Sequence, residues 1–176
     1  MENLQLKTII SEAELKKRIQ EMGKSLSDRF KDKDVVAICV LKGSFMFFSD
    51  LIRSIECDMA CEFLGLSSYG NSFQSSGEVK LTMDINTSLQ NKHVLIVEDI
   101  VDTGLTMQYL QKMIQIRQPA SITTVCLLQK PDAKKVDYEV DLVGFKIPNE
   151  FVVGYGLDHQ NRYRHLPYVA QVENLI

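Results

Sequence analysis

Apolar positions spaced three and four residues apart predict a helix near the start of the chain. Ser11 and Glu14 form a Ser-x-x-Glu capping box, the usual beginning of such a helix. The apolar face that follows consists of Leu15, Ile19, Met22, Leu26 and Phe30. We therefore expect an amphipathic helix over residues 11–30.

Continuous apolar runs rich in β-branched residues predict strands that are buried on both faces. The predicted strands occupy residues 34–41, 92–98, 121–129, 138–147 and 151–158. Helical patterns follow the first two strands, at residues 45–55 and 106–117. Alternating strands and helices are typical of a parallel sheet with helices on both faces, so we predict an α/β fold.

A different pattern separates the first two buried strands. Residues 57–69 and 77–85 alternate between apolar and polar positions, and a Gly/Ser/Asn/Gln-rich stretch, 70–77, lies between them. This arrangement predicts an antiparallel hairpin with a long mobile tip. Loops with so few apolar anchors are candidates for active-site lids.

The composition is that of an ordinary soluble protein with one domain. The 176 residues, expected to form a single domain over 1–176, are 45% hydrophobic and 24% charged. The formal charge of -3 provides no global positive field, so we expect neither a nucleic acid nor a membrane as a partner.

The cysteines and the apolar runs point to the cytoplasm. Cys39, Cys57, Cys61 and Cys126 lack CxxC spacing and suggest reduced thiols. The first 30 residues are charged and show no apolar h-region, so we expect no signal sequence, and no apolar run approaches the length of a membrane span.

The stretch "VLIVEDIVDTGLT", residues 94–106, carries the candidate chemistry. The strand is expected to end at Val97, so that Glu98 and Asp99 project where ligands of α/β sheets bind. Two adjacent acids can accept hydrogen bonds from a diol or hold Mg²⁺. The following residues 102–106 open a helix, whose amides and hydroxyls suit a phosphate. Together these features suggest a site for a ribose 5-phosphate.

Other interpretations of this stretch remain open on spacing alone. The loop could be acidic without function, with Asp102 as the N-cap of the helix. It could also be a metal site of the Walker B or receiver type, although no phosphate-binding P-loop accompanies it. The only partial P-loop match, at residues 23–25, has Arg18 in place of the first glycine.

The motif resembles the phosphoribosyl pyrophosphate (PRPP) motif of type I phosphoribosyltransferases. More narrowly, "LKGS", "SSYG", "VEDIVDTGLT", "LLQKP" and "FVVGYGLD" occur in the order and spacing of the hypoxanthine-guanine phosphoribosyltransferases, over roughly residues 35–170. The resemblance implies the type I phosphoribosyltransferase fold, with a central parallel sheet flanked by helices, a mobile hairpin loop and a small hood. It also implies transfer of the phosphoribosyl group to a 6-oxopurine, with Mg²⁺ required.

The resemblance assigns roles within the acidic stretch. Glu98 and Asp99 are similar to the pair that orders the ribose hydroxyls and Mg²⁺. Asp102 resembles the general base that takes the N7 proton of the purine. The expected binding loop for the ribose phosphate comprises Asp102, Thr103, Gly104, Leu105 and Thr106.

For pyrophosphate, the resemblance implies Lys42, Gly43 and Arg164. The Leu41–Lys42 peptide of this loop is often cis in the family, and many relatives have glycine where this chain has Ser44. The residues alone favour a surface salt bridge for Arg164.

For the purine, the resemblance implies Lys130, Phe151, Val152 and Asp158. Lys130 would donate to the O6 carbonyl, Phe151 would stack on the ring, and the Val152 backbone would pair with its edge. Asp158 would hold a second Mg²⁺ and meet the base through its carbonyl. The alternatives are a solvated lysine and ordinary core packing. The lid would include the residues Ser68 and Tyr69.

The expected activity is therefore the conversion of hypoxanthine and guanine, with PRPP, to IMP and GMP plus pyrophosphate. The resemblance implies a homodimer or homotetramer. The alternatives are a PRPP-sensing regulator that binds nucleic acid and a transferase that prefers xanthine. The acidic excess of the chain argues against the regulator.

Overall fold

A computed structural model describes residues 4–68 and 79–173. The strands are β1 (Leu6–Ile10), β2 (Val35–Leu41), β3 (Ala60–Ser68), β4 (Val79–Met83), β5 (His93–Val101), β6 (Ser121–Gln129), β7 (Leu142–Lys146), β8 (Val152–Val153) and β9 (Val169–Val172). The α-helices are α1 (Glu12–Phe30), α2 (Phe45–Arg53) and α3 (Leu105–Gln115), and a short 3-10 helix spans Pro131–Ala133.

The main sheet has six strands in the order β4-β3-β2-β5-β6-β7. Every neighbouring pair is parallel except β3 and β4, which are antiparallel. The predicted parallel sheet and the predicted antiparallel hairpin are both confirmed. Residues 69–78, which include the predicted tip, lie outside the described residues.

The two faces of the sheet are covered by different helices. On β2, Val35, Ala37 and Cys39 face the core under α1 and α2, whereas the residues between them face the core under α3. Such alternation explains why the strand is apolar at every position, since neither of its faces meets water. The predicted cover on both faces is confirmed.

Helix α1 begins as its sequence predicted. The side chain of Ser11 accepts a hydrogen bond from the Glu14 amide, and the Glu14 carboxylate accepts one from the Ser11 amide at 2.8 Å. This reciprocal capping satisfies amides that the first turn leaves without partners.

A second, three-stranded antiparallel sheet has the order β1-β9-β8 and corresponds to the hood. Strands β1 and β9 were not predicted from the sequence. The strand predicted over 151–158 is reduced to Val152–Val153, because Gly154 and Gly156 adopt positive φ angles of 99° and 100° and turn the chain.

The predicted end of β5 at Val97 was wrong. Pairing with β6 continues to Val101, which lies opposite Gln129, so Glu98 and Asp99 are strand residues. The predicted strand at 138–147 is likewise shorter, at Leu142–Lys146. In the described part of the chain, no helix has both the length and the apolar character needed to cross a membrane.

Candidate active site

The site lies where β5 extends beyond its neighbour β2. The pairing of β2 with β5 stops at Cys39 and Val97, whereas β6 remains paired with β5 up to Val101. Residues 98–100 are thus held by one neighbouring strand and open on the other side. This opening at the carboxyl ends of the parallel strands is where α/β sheets bind ligands.

A cleft of about 920 Å³ occupies this opening. It brings together most of the residues that the sequence singled out, namely Lys42, Gly43, Glu98, Asp99, Asp102, Thr106, Lys130, Phe151, Val152, Asp158 and Arg164. Thr103, Gly104 and Leu105 form the adjoining turn into α3. Ser68 is the last residue of β3 and lies opposite Val79, and Tyr69 lies outside the described residues.

The two adjacent acids on β5 are half-buried, and their ionisation is suppressed. Burial, reinforced by the neighbouring charge of Asp99, raises the pKa of Glu98 well above its usual range. Burial also raises the pKa of Asp99 to about 6, although the Ile100 amide at 2.8 Å and the Arg164 guanidinium oppose the rise. The Glu98 oxygen Oε2 is buried and has no hydrogen-bond partner among the described residues. This pair is therefore suited to a ligand that brings donors or positive charge.

The Lys42–Gly43 loop packs directly against Asp99. The Leu41–Lys42 peptide is cis, as the resemblance suggested. A Cβ built on Gly43 would lie 1.5 Å from Asp99 Oδ2, so only glycine fits at this position. Ser44 is fully buried, and its hydroxyl donates to the Val40 carbonyl and contacts Cys39 Sγ at 3.3 Å. The serine hydroxyl thus fastens the loop to the end of β2.

The turn into α3 is shaped to receive an anion. Gly104, with a φ of 83°, is the N-cap of α3, so Asp102 does not cap the helix. Among residues 4–68 and 79–173, the amides of Thr103, Gly104 and Thr106 have no hydrogen-bond partner. The Asp102 side chain is exposed. Amides without partners in the described part of the chain, at the positive end of a helix dipole, are suited to bind a phosphate.

Lys130 stands at the end of β6, beside the acidic strand. Its amide donates to the Val101 carbonyl at 2.9 Å, and the residue is only 9% exposed. Its ammonium group makes no hydrogen bond or ion pair within the described residues. A lysine so buried is not a solvated surface residue, and a side-chain donor that has no partner in the described part of the chain is suited to a ligand.

Phe151 and Val152 line the opposite wall. Phe151 is 37% exposed and meets the His159 ring edge-on, at 5.7 Å between centroids and 89° between planes. Core packing therefore does not describe Phe151, whereas the Val152 side chain is buried. Val152 faces Gln171 next to the hydrogen-bonded pair of Phe151 with Val172, so its own N–H and C=O point away from β9.

Asp158 and Arg164 pair with each other across the third wall. The Arg164 guanidinium lies 2.7 Å from Asp158 Oδ1 and also donates to the Gly156 carbonyl at 2.6 Å. The Asn161 amide donates to the other Asp158 oxygen at 2.7 Å. The salt bridge expected for Arg164 exists, but it lines the cleft.

Sequence reasoning missed several parts of the cleft. The cleft is also lined by Leu66, Ile100, Leu157 and Asn161, and His159 contacts Phe151 edge-on. Asn161 could have been suspected from its position three residues after Asp158, a spacing typical of side-chain hydrogen bonds in turns. The contact of His159 with Phe151 had no signal in the sequence.

The predicted metal ligands are all carboxylates, which suits Mg²⁺. Within the described ranges, no three His, Cys, Asp or Glu side chains are close enough to hold one ion together. Glu98, Asp99 and Asp158 therefore do not form a single site made of protein alone. Mg²⁺ commonly binds through one or two carboxylates and completes its shell with substrate phosphates and water. The unpartnered Glu98 oxygen beside Asp99 fits that arrangement.

Comparisons with known proteins agree with this geometry. The family model of the phosphoribosyl transferase domain matches residues 6–160. The chain is 47% identical over 164 residues to the hypoxanthine-guanine phosphoribosyltransferase of Bacillus subtilis, covering 93% of this chain and 91% of that protein. It is 44% identical to the bifunctional protein TilS/HprT of Listeria monocytogenes, of which it spans 25%. A crystal structure of hypoxanthine phosphoribosyltransferase from Staphylococcus aureus superimposes with a TM-score of 0.92 at 40% identity, covering 97% of this chain and 92% of that one.

Proposed function

Because the chain belongs to the phosphoribosyl transferase family, we propose that it salvages purines by transferring the phosphoribosyl group of PRPP to hypoxanthine and guanine. The products are IMP or GMP and pyrophosphate. We propose further that residues 1–176 act as one phosphoribosyltransferase domain in the cytoplasm.

The observation that carries this proposal is the position of Lys130. Its amide is hydrogen-bonded to Val101 of the strand that bears Glu98 and Asp99, which supports a purine donor next to the proposed ribose phosphate site. The ammonium can donate to the O6 carbonyl of a 6-oxopurine but cannot satisfy the amino group of adenine. This chemistry supports hypoxanthine and guanine and disfavours adenine.

The other walls of the cleft supply the remaining contacts with the purine. Phe151 would stack on the ring, and the Val152 amide and carbonyl, which point away from β9, would pair with its edge. The backbone carbonyls near Val152 and Asp158 would accept hydrogen bonds from the exocyclic amine of guanine. These contacts are the support for extending the proposal from hypoxanthine to guanine.

The sugar and its 5-phosphate would occupy the side of the cleft nearest β5. Glu98 and Asp99 would accept hydrogen bonds from the ribose hydroxyls, and the turn from Thr103 to Thr106 would bind the 5-phosphate. Lys42, the Gly43 amide and Arg164 would bind the pyrophosphate. The positive charges of Lys42 and Arg164 would stabilise the leaving group as its bond to C1 breaks.

Asp102 is the proposed general base. It is exposed and lines the cleft together with Thr106 and Lys130. As a purine ring nitrogen attacks C1 of the ribose, the carboxylate accepts the proton from N7. A base held in this position accelerates such a step about 10²- to 10⁴-fold.

Bound Mg²⁺ would neutralise the charge of the pyrophosphate group. Glu98 and Asp99 would hold one ion together with PRPP, and Asp158 would contribute to a second. Because Asp158 and Arg164 pair with each other at 2.7 Å, the arrival of metal and pyrophosphate would give each a new partner.

Two observations bear on the alternatives. The chain has 20 basic and 23 acidic residues, which disfavours a regulator that binds nucleic acid. Lys130 at the proposed purine site disfavours adenine but does not by itself distinguish xanthine from hypoxanthine and guanine. A preference of the enzyme for xanthine therefore stays an alternative, which the assay below decides.

The test combines the purified chain with PRPP, Mg²⁺ and one purine at a time. Formation of IMP and GMP, with little AMP, is the expected result. Xanthosine monophosphate as the dominant product would change the assigned substrate, and the absence of any nucleotide would refute the activity. The oligomeric state, proposed to be a dimer or tetramer, can be measured on the same sample by light scattering.

A further inference from the structure

The turn formed by Gly154, Tyr155 and Gly156 connects the purine side of the cleft to Asp158. All three residues have positive φ angles, 99°, 49° and 100°. Glycine adopts such angles freely, but a tyrosine does so only where surrounding contacts hold it. The Tyr155 amide donates to the Leu166 carbonyl, and the Gly156 amide donates to the Arg164 carbonyl, both at 2.9 Å.

This turn also packs against the Lys42–Gly43 loop, which is proposed to bind pyrophosphate. A Cβ built on Gly156 would lie 2.0 Å from the Gly43 carbonyl oxygen. The Gly156 carbonyl accepts a hydrogen bond from the Arg164 guanidinium, which in turn pairs with Asp158. The position of Gly156 thus determines how Arg164 and Asp158 stand relative to Gly43.

The Tyr155 side chain ties the turn to helix α2. The ring is buried, and its hydroxyl donates to Asp50 Oδ2. Burial and the hydrogen bond to Asp50 both raise the pKa of Tyr155, so the phenol stays protonated and remains a donor. The other Asp50 oxygen pairs with Arg53. Helix α2 begins at Phe45, directly after the pyrophosphate loop.

We propose that Tyr155 and Asp50 are positioning residues that hold Gly156, and through it Arg164 and Asp158, in register with the Lys42–Gly43 loop. This inference rests on the proposed function, because it concerns the end of the cleft that would bind pyrophosphate. The purine end has a separate support, since Val152 is paired with Gln171 of β9. Loss of the Tyr155 hydroxyl should therefore weaken the binding of PRPP but not the binding of the purine.

The test compares Tyr155→Phe, Asp50→Ala and the double variant with the wild type. Asp50→Asn keeps an oxygen that can accept from the phenol. The matched control is Ser27→Ala, which removes another hydroxyl that bridges two elements, between the Gly23 carbonyl and the Glu56 amide, on α1. PRPP binding in the presence of Mg²⁺ is measured by calorimetry, and KM is measured for PRPP and for hypoxanthine.

We expect Tyr155→Phe and Asp50→Ala each to weaken PRPP binding about tenfold, the size expected for a lost hydrogen bond to a charged group. The double variant should be no weaker than the weaker single variant, because both remove the same contact. KM for hypoxanthine should stay within about twofold of the wild type. Asp50→Asn should recover most of the PRPP affinity.

The inference is overturned if Tyr155→Phe binds PRPP as tightly as Ser27→Ala does, or if KM for both substrates rises equally. A loss of stability alone would lower the active fraction and leave every KM unchanged, which also contradicts it. A wild-type chain that binds PRPP but forms no nucleotide would refute the proposed function, while the calorimetric comparison would still decide the role of Tyr155 and Asp50.

Discussion

The backbone of Gly43 lies against the carboxylate of Asp99, so closely that a Cβ on residue 43 would stand 1.5 Å from Oδ2. The loop proposed for pyrophosphate and the acid proposed for ribose and metal therefore share one van der Waals surface. The loop and the carboxylate therefore cannot come any closer together than they are.

Gly43→Ala should lower the affinity for PRPP by about tenfold to a hundredfold, because the new methyl group must push the Asp99 carboxylate or the loop out of place. Calorimetric titration with PRPP and Mg²⁺ measures the loss. The control is Gly144→Ala, whose Cβ would meet the Leu127 carbonyl at 2.4 Å within the sheet. This control should lower the melting temperature yet leave PRPP affinity unchanged; equal PRPP losses in both variants would argue against a specific contact with Asp99.

Asp102→Asn should reduce kcat by about 10²- to 10⁴-fold while keeping most of the PRPP affinity, since the amide retains the shape of the side chain but cannot take a proton. Because Asp102 is exposed, the substitution should change the free energy of unfolding of the protein by no more than about 0.5 kcal/mol. Steady-state kinetics and calorimetry together measure these effects. The exposed Asp132→Asn provides a control that should leave kcat unaltered. Undiminished turnover in Asp102→Asn would remove this residue from the role of base.

Lys130→Gln should narrow the discrimination between hypoxanthine and adenine by about tenfold or more. The buried ammonium is the proposed donor to O6, and a glutamine amide can also accept from the amino group of adenine. The ratio of kcat/KM for the two purines is the measurement. Lys134→Gln, which removes an exposed ammonium paired with Asp137 and Glu139, should keep the wild-type ratio. If Lys130→Gln also keeps it, the O6 contact belongs to another group.

Asp99→Asn should stabilise the ligand-free protein at pH 8. Folding raises the pKa of Asp99 from its ordinary 3.8 to about 6. Between these values the folded state binds more protons than the unfolded state, so stability falls as pH rises and the loss is complete above pH 6. Asparagine avoids this loss, which is on the order of 1–3 kcal/mol. Denaturant unfolding without Mg²⁺ should show a gain at pH 8 that disappears below about pH 4.

The exposed Asp28→Asn is the control for this pH dependence and should parallel the wild type at both pH values. A gain in Asp99→Asn of the same size at pH 4 and pH 8 would show that its cause is not the carboxylate charge.

Features encoded by neighbouring residues could be predicted from the sequence. The capping box of Ser11 and Glu14 and the apolar run of β2 each depend on a few consecutive side chains. The clustering of Glu98, Asp99 and Asp102 at the ligand-binding edge also followed, because parallel strands present their carboxyl ends on one side.

Features that depend on distant partners could not be predicted. The end of β5 was placed four residues too early, since its pairing with β6 continues after its pairing with β2 has stopped. Strands β1 and β9 have five and four residues and gain their structure from pairing with each other. The contact of Gly43 with Asp99 and the bond of Tyr155 to Asp50 join segments that are remote in the chain.

The hydrogen bond from the Lys130 amide to the Val101 carbonyl has a consequence for how substrates would meet. It joins the ends of two adjacent strands of one sheet, so Lys130 and the acids of β5 are carried by one hydrogen-bonded strand pair. Movement of β5 against β6 would break backbone hydrogen bonds, so we do not expect it to bring the two substrates together. We therefore expect adjustment during a catalytic cycle to come from parts outside the β5–β6 pair, which would serve as the fixed frame.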